Sequence, residues 1–260
     1  MINIKPTDRD LRLLIDAYNH SFLSFYQIKE CHFKNLAQAT VYNRLSKLIN
    51  GELLESVRVN VKAIHKGGKD IGAIYFLTKN GFKLINKYHS EGIYRDAPVP
   101  INLNQLYHDL VLTDALKQLE CAKTNCVGIN SKLMSHQLKD AVQIPDGVIH
   151  IGDERYALEI ELTTKSNSRY REIIYNYSTS SDFKKVLYLV KNDVTQNKIG
   201  DIIIGYSGQY KKTDDTGKFY FCTISEFFKA QRNFKFANGT KTFSATEDLK
   251  CNNRGFENEL

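Results

Sequence analysis

Asp146, Glu159 and Glu161 are the residues of this 260-residue chain whose types and spacing best support chemistry. They lie in QIPDGVIHIGDERYALEIELTT, which reads as two antiparallel strands, about 143–151 and 155–163, with a tight turn at Gly152-Asp153. Side chains alternate along a strand, so Leu158, Ile160 and Leu162 point into a core while Glu159 and Glu161 share the opposite face. The hairpin brings Asp146 close to Glu159. Three carboxylates on one face repel each other unless a cation joins them. Hard oxygen ligands select Mg²⁺ or Mn²⁺, and such an ion supports phosphodiester cleavage by polarising phosphate and acidifying a bound water. The same alternation also describes a solvated strand face that merely carries two acids, and spacing alone leaves both readings open.

The elements that must position these acids follow from the pattern around them. A helix of about 102–120 (LNQLYHDLVLTDALKQLE) and a short strand near 126–130 precede the hairpin; a helix of about 167–179 and the strand KVLYLV, 185–190, follow it. Upstream, Pro98 and Pro100 mark a linker at roughly 90–102. The expected division is therefore 1–95, 96–245 and a loose tail at 246–260.

Charge separates the same regions. Residues 1–95 hold 15 Lys+Arg against 8 Asp+Glu, whereas residues 96–260 hold 21 of each. The whole net charge of +7 thus sits in the first third, which suits a polyanion-binding front module. That module reads as helices at about 7–20, 23–31 and 36–50, then LLESVRVNV, the basic turn HKGGKD, IGAIYFLT and a closing helix, NGFKLINKYH. Three helices followed by a two-stranded ribbon is the pattern of a winged helix-turn-helix, whose third helix enters the major groove of duplex DNA. Gln38, Thr40, Asn43, Arg44 and Lys47 form the polar face of that helix, and His65, Lys66 and Lys69 the wing tip. A winged helix used for protein contacts is the alternative.

Other classes are excluded or disfavoured. The five cysteines lack C-x-x-C spacing, against a disulfide framework or structural zinc. No apolar run approaches the ~20 residues of a bilayer span, and the polar amino end is unlike a signal peptide, so a cytoplasmic protein without membrane contact is expected. No G-x-x-x-x-G-K-[ST] loop points to an ATP-driven motor. No H-x-H pair occurs among the seven histidines, unlike relaxases that coordinate metal through a histidine cluster and attack with tyrosine. Tyr107, Tyr170 and Tyr175 are expected to pack or to touch phosphate, and His150 to be structural.

P-D-G at 145–147, then E-I-E at 159–161 in an apolar strand, then a helix, resembles the PD-(D/E)xK nuclease core. LAQATVYNRLSKLINGELLE resembles winged-helix recognition helices, and Y-H-D-L-V-L-T-D (107–114) lies between the two regions. The whole, from about 7 to about 190, resembles the replication-relaxation family, which includes MobC-type plasmid relaxases. The resemblance implies an α+β chain: a winged helix-turn-helix followed by a restriction-endonuclease-like (PD-(D/E)xK) α/β domain. It implies metal-dependent, site-specific nicking of DNA at a plasmid or mobile-element origin, with Mg²⁺ or Mn²⁺ as cofactor. A target in a competitor genome would use the same chemistry.

Carried onto this sequence, Asp146 and Glu159 would be metal ligands, and Glu161 sits where nucleases of this fold usually place lysine. His108, with Asp109 or Asp114, matches the family's histidine-containing helix. The acid at 161 leaves the water-activating group open. Lys165, or Arg169 and Arg171 on the next helix, could supply the missing cation, and the two arginines could equally bind phosphate or lie on a solvated face. A monomer suffices for nicking, and a homodimer remains open. The alternative function is a non-catalytic DNA-binding replication accessory or transcriptional regulator.

Overall fold

The computed structural model describes residues 5–62, 70–88, 102–122, 126–134, 138, 141–209, 217–231, 233–238 and 242–244. Contacts gather into two compact units, 1–117 with 128–140, and 118–127 with 141–260. Both are mixed helix and sheet. No described helix is long and apolar enough to cross a membrane. The linker, the wing tip with His65, Lys66 and Lys69, and the tail at 246–260 lie outside the described residues.

The first unit begins with α1 (Asp8–Asn19), capped by Thr7, whose hydroxyl accepts from the Asp10 N–H while the Asp10 carboxylate accepts from the Thr7 N–H. A two-residue strand β1 (Leu23–Ser24) follows, then α2 (Phe25–His32), α3 (Gln38–Asn50), β2 (Leu54–Lys62), β3 (Asp70–Leu77) and α4 (Lys79–Tyr88). The three strands form an antiparallel sheet in the order β1-β3-β2. The helix expected from residue 23 starts at Phe25, because Leu23 and Ser24 pair with Tyr75 and Ile74 instead. Leu13, Leu14, Ile28, Val41, Leu45, Leu48, Leu54 and Ile85 close one core. Each such buried aliphatic side chain contributes roughly 1.5–3 kcal/mol. A second cluster, Phe22, Ile71, Ile74, Leu106 and Leu110, packs the first turns of α5 (Leu106–Ala122) into this unit. Gly81 lets α4 pass close to the chain before β2: a methyl group there would lie 2.3 Å from the Leu53 carbonyl oxygen.

A seven-stranded sheet runs in the order β10-β9-β8-β7-β6-β5-β4; strands β5 to β10 belong to the second unit, and β4 straddles the division at 127/128. The strands are β4 (Cys126–Asn130), β5 (Gly147–Ile151), β6 (Glu154–Glu161), β7 (Lys185–Val190), β8 (Phe219–Thr223), β9 (Lys235–Ala237) and β10 (Thr242–Ser244). Helices α6 (Asn167–Thr179), α7 (Asp193–Gln209) and α8 (Ile224–Ala230) connect them. β5 and β6 form the expected hairpin, with Gly152 at φ 58° supplying the left-handed residue of the two-residue turn. β5 starts at Gly147 rather than 143, since Pro145 has no N–H to donate to a ladder. β6 then pairs parallel with β7, and β7 with β8. A strand flanked on both sides and covered by helix is buried on both faces, and β6 is buried from Tyr156 to Glu161.

Arg44 has a structural duty in the first unit. Its Nε donates to Asp10 Oδ1 at 2.9 Å and its Nη2 donates to Asp10 Oδ2. Burial alone would raise the Asp10 carboxyl, but the hydrogen bonds from Arg44 and Thr7 outweigh it and hold its pKa below the ordinary 3.8. A depressed carboxylate contributes stability above its unfolded pKa and loses it as pH falls through the folded one. Arg44→Ala strands a fully buried charge and is expected to lower the stability of the first unit by about 3 kcal/mol at neutral pH. Thermal melts followed by circular dichroism should show the gap to the natural protein narrowing as pH drops below about 4. A gap that is absent at neutral pH, or that widens in acid, contradicts this role.

Candidate functional site

The register of the β5–β6 hairpin sets the acids side by side. The ladder ends with Gly147 opposite Leu158, and Asp146 is the next residue, near enough to Glu159 for its charge to act on that carboxyl. Asp146 sits in the non-ladder stretch before β5, partly exposed, and its Oδ2 accepts from the Ile160 N–H at 2.8 Å. Glu159 and Glu161 share one face of β6, as the alternation predicts, but that face is not solvated. They are only 7% and 2% exposed. The reading of a solvated face carrying two chance acids is thereby overturned. The cause is the position of β6 between β5 and β7, with α6 laid over the acids.

Helix α6 follows its sequence pattern. Ser166 caps it by accepting from the Arg169 N–H, and Tyr170, Ile173, Ile174 and Tyr177 form one buried stripe. The Tyr177 hydroxyl donates to Glu159 Oε1. The Tyr170 hydroxyl accepts from the Lys165 N–H at 3.1 Å and so pins the loop between β6 and α6. The Lys165 ammonium donates to Glu161 Oε2. Lys198 of α7 donates to the Lys165 carbonyl at 3.0 Å, and both ammoniums stand within 6 Å of the Tyr170 ring, at 5.9 and 5.6 Å. Of the cations proposed to stand in for the motif lysine, Lys165 is the one joined to Glu161. Arg169 pairs with Glu172 at 2.7 Å in an exposed i,i+3 bridge, and Arg171 is exposed.

Electrostatics follow from this packing. Burial, and then the neighbouring Asp146 charge, push the Glu159 carboxyl well above its ordinary range, against the opposing hydrogen bond from Tyr177. Burial works against the Lys165 ammonium, but its hydrogen bond to Glu161 outweighs this and raises its pKa. Burial and the Glu159 charge push Tyr177 up, and Tyr188 of β7 is pushed up by burial and by Glu159, Glu161 and Asp146. Glu159 lies directly beside Tyr188 in the parallel register. Among the described residues, the oxygens of Asp146, Glu159 and Glu161 do not all close to within 4.8 Å of each other. The arrangement is a pair of neighbouring acids, Asp146 and Glu159, next to a Glu161–Lys165 ion pair. Such a pair of oxygen-bearing side chains is of the type that hard divalent cations accept as ligands.

The other proposed residues lie in or near the first unit's own networks. His108 Nδ1 is 3.3 Å from Asp109 Oδ1, and Asp109 Oδ2 accepts from Lys132 at 2.7 Å. Asp114 accepts from the Gln27 amide at 2.8 Å. These belong to the first unit, whereas the acids belong to the second. On α3, Gln38, Thr40, Asn43 and Lys47 are all exposed, while Arg44 is tied to Asp10 as described. His150 is partly buried on β5, opposite Arg155, and burial lowers its pKa.

Sequence reasoning missed two residues beside the acids. Tyr177 and Tyr188 join the acids from α6 and β7. The i, i+7 spacing of Tyr170 and Tyr177 was a usable signal for the first; nothing in KVLYLV marks Tyr188.

Two units of helix and sheet, with a paired-acid and lysine cluster around β6 in the second, define a mixed α/β chain with a polar centre in its core. The chain belongs to the replication-relaxation family, which it matches over residues 14–185. No curated protein and no solved structure matches it.

Glu161 is buried and depends on Lys165 for its counter-charge. Lys165→Met is expected to lower the unfolding free energy measured in urea by an amount on the order of 2 kcal/mol, and Glu161→Gln in the same chain should recover most of the loss. Additive losses in the double variant would show that the two side chains do not act as a pair.

Proposed function

We propose that this chain is a divalent-metal-dependent DNA nicking endonuclease of the relaxase type, similar to MobC-type plasmid relaxases. In this reading the first unit is a winged helix-turn-helix. The order α1, β1, α2, α3, then the β2–β3 ribbon supports it, as does the outward polar face of α3. The second unit is read as a PD-(D/E)xK-like domain, supported by its order hairpin, helix, strand from β5 to β7. The partner is duplex DNA at a specific site, in a plasmid or mobile-element origin or in a competitor genome.

One observation carries the catalytic half: Asp146 and Glu159 stand side by side at a buried strand, next to a lysine held by Glu161. Asp146 and Glu159 would hold Mg²⁺ or Mn²⁺, and Glu161, first read as a ligand, would instead hold Lys165. The bound ion would polarise the scissile phosphate and lower the pKa of an attacking water. Lys165 places a positive charge where negative charge builds on the phosphorus oxygens. Water oxygen forms the new P–O bond, the leaving strand oxygen departs and takes a proton, and one further proton passes to solvent. Tyr170, Tyr177 and Tyr188 are buried, which favours water over these tyrosines as nucleophile.

A second reading rests on a different observation. Each acid already has a partner within the protein, and the three do not converge as a closed cage. This favours a DNA-binding replication accessory or regulator with a nuclease-like scaffold. The test is supercoiled plasmid carrying the cognate site, incubated separately with Mg²⁺ and with Mn²⁺ and resolved by electrophoresis. Open circles should form with the natural protein and fall by on the order of 100-fold or more with Glu159→Ala. Supercoils left intact in both metals, with the plasmid still bound, would overturn the nicking reading in favour of the second.

A further inference from the structure

The Tyr188 hydroxyl is an unexplained polar group in the core of the second unit. Tyr188 is 1% exposed and its oxygen has no hydrogen-bond partner. An unsatisfied buried hydroxyl destabilises a fold, and replacing it by an apolar ring of the same shape is neutral or stabilising. A phenylalanine would serve the surrounding packing equally well, since the ring stacks on Phe221 at 5.3 Å and tilts against Phe219 at 6.5 Å. Packing therefore accounts for the ring and not for the oxygen.

The oxygen belongs to a residue that is registered directly beside one of the acids. Tyr188 is the register partner of Glu159 across the parallel β6–β7 ladder, so the two side chains leave the sheet on the same face. Glu159, Glu161 and Asp146 all act electrostatically on its hydroxyl. Tyr177 differs: its hydroxyl is committed to Glu159. One tyrosine is thus a built-in partner of the acid pair, and the other faces the same acids with its hydrogen-bonding capacity unused.

We infer that Tyr188 is a positioning residue for a divalent cation at Asp146 and Glu159, its hydroxyl engaging a water on that cation. The inference rests on the metal reading above and deepens it. Groups that hydrogen-bond to a metal's own ligands tune its affinity by about 10–100-fold without touching the ion. Here the cost of the orphan hydroxyl is carried by the ion-free protein and relieved when the ion and its water arrive.

The test compares the full chain with Tyr188→Phe and Tyr177→Phe. Thermal midpoints are measured in chelator, and Mn²⁺ affinity is measured by the electron paramagnetic resonance signal of free Mn²⁺. Tyr188→Phe should melt at the same temperature as the natural protein, or higher, in chelator, yet bind Mn²⁺ about 10-fold more weakly. Tyr177→Phe should melt lower in chelator, because it removes a made hydrogen bond. Unchanged Mn²⁺ affinity in Tyr188→Phe overturns the inference while leaving the metal reading intact, and so does a lower midpoint of that variant in chelator. If the natural protein binds no Mn²⁺, or binds it equally well as Asp146→Asn, the metal reading itself fails and this one falls with it.

Discussion

Burial of two glutamates on one face of β6 is the constraint around which the second unit is organised. A carboxylate loses much of its hydration in such a place, and only hydrogen bonds, counter-charges or protonation can offset the loss. The structure uses all three. Tyr177 donates to Glu159, Lys165 neutralises Glu161, and burial beside Asp146 drives Glu159 toward its protonated form. Replacing these acids with aliphatic residues would relieve the strain on the core, since the opposite face of the strand, with Leu158 and Ile160, is already apolar. A buried acid cluster of this kind is what the proposed metal site would require, and burying it works against the stability of the fold.

The support around the acids is as specific as the acids themselves. Tyr170 holds the backbone of Lys165, Lys198 holds its carbonyl, and Ser166 starts α6 at the residue that lets Tyr170 and Tyr177 face inward. The loop between β6 and α6 is thereby fixed at three points. The first unit relies on a comparable device, with the Thr7–Asp10 cap closed by Arg44 from another helix. In both units an ion pair joins a buried acid to a partly exposed base.

Much of this was legible in the residues. Gly152-Asp153 fixed the hairpin and so the nearness of Asp146 to Glu159, and the apolar stripe of α6 fixed that helix. The burial of the glutamate face was not legible, because alternation along β6 is the same for a half-buried and a fully buried strand; only α6 and the parallel partner β7 decide it. β1 is two residues long and pairs with Tyr75 and Ile74, far along the chain, so no local pattern announces it. Arg44 has the composition of a groove-facing residue, yet its partner Asp10 lies 34 positions away. The elements after residue 190, from α7 to β10, fall beyond the stretch that resembles the family, although Asn238-Gly239, between β9 and β10, is a turn signal as explicit as Gly152-Asp153.

Function in this account comes down to whether the acid pair is a cation site. Crystals soaked in Mn²⁺ and measured at a wavelength where manganese scatters anomalously test that directly. The account predicts one anomalous peak between the carboxylates of Asp146 and Glu159, at roughly 2.0–2.3 Å from their oxygens, with Lys165 still on Glu161. Clean density there with no anomalous signal, and both acids still turned to Ile160 and Tyr177, would contradict it.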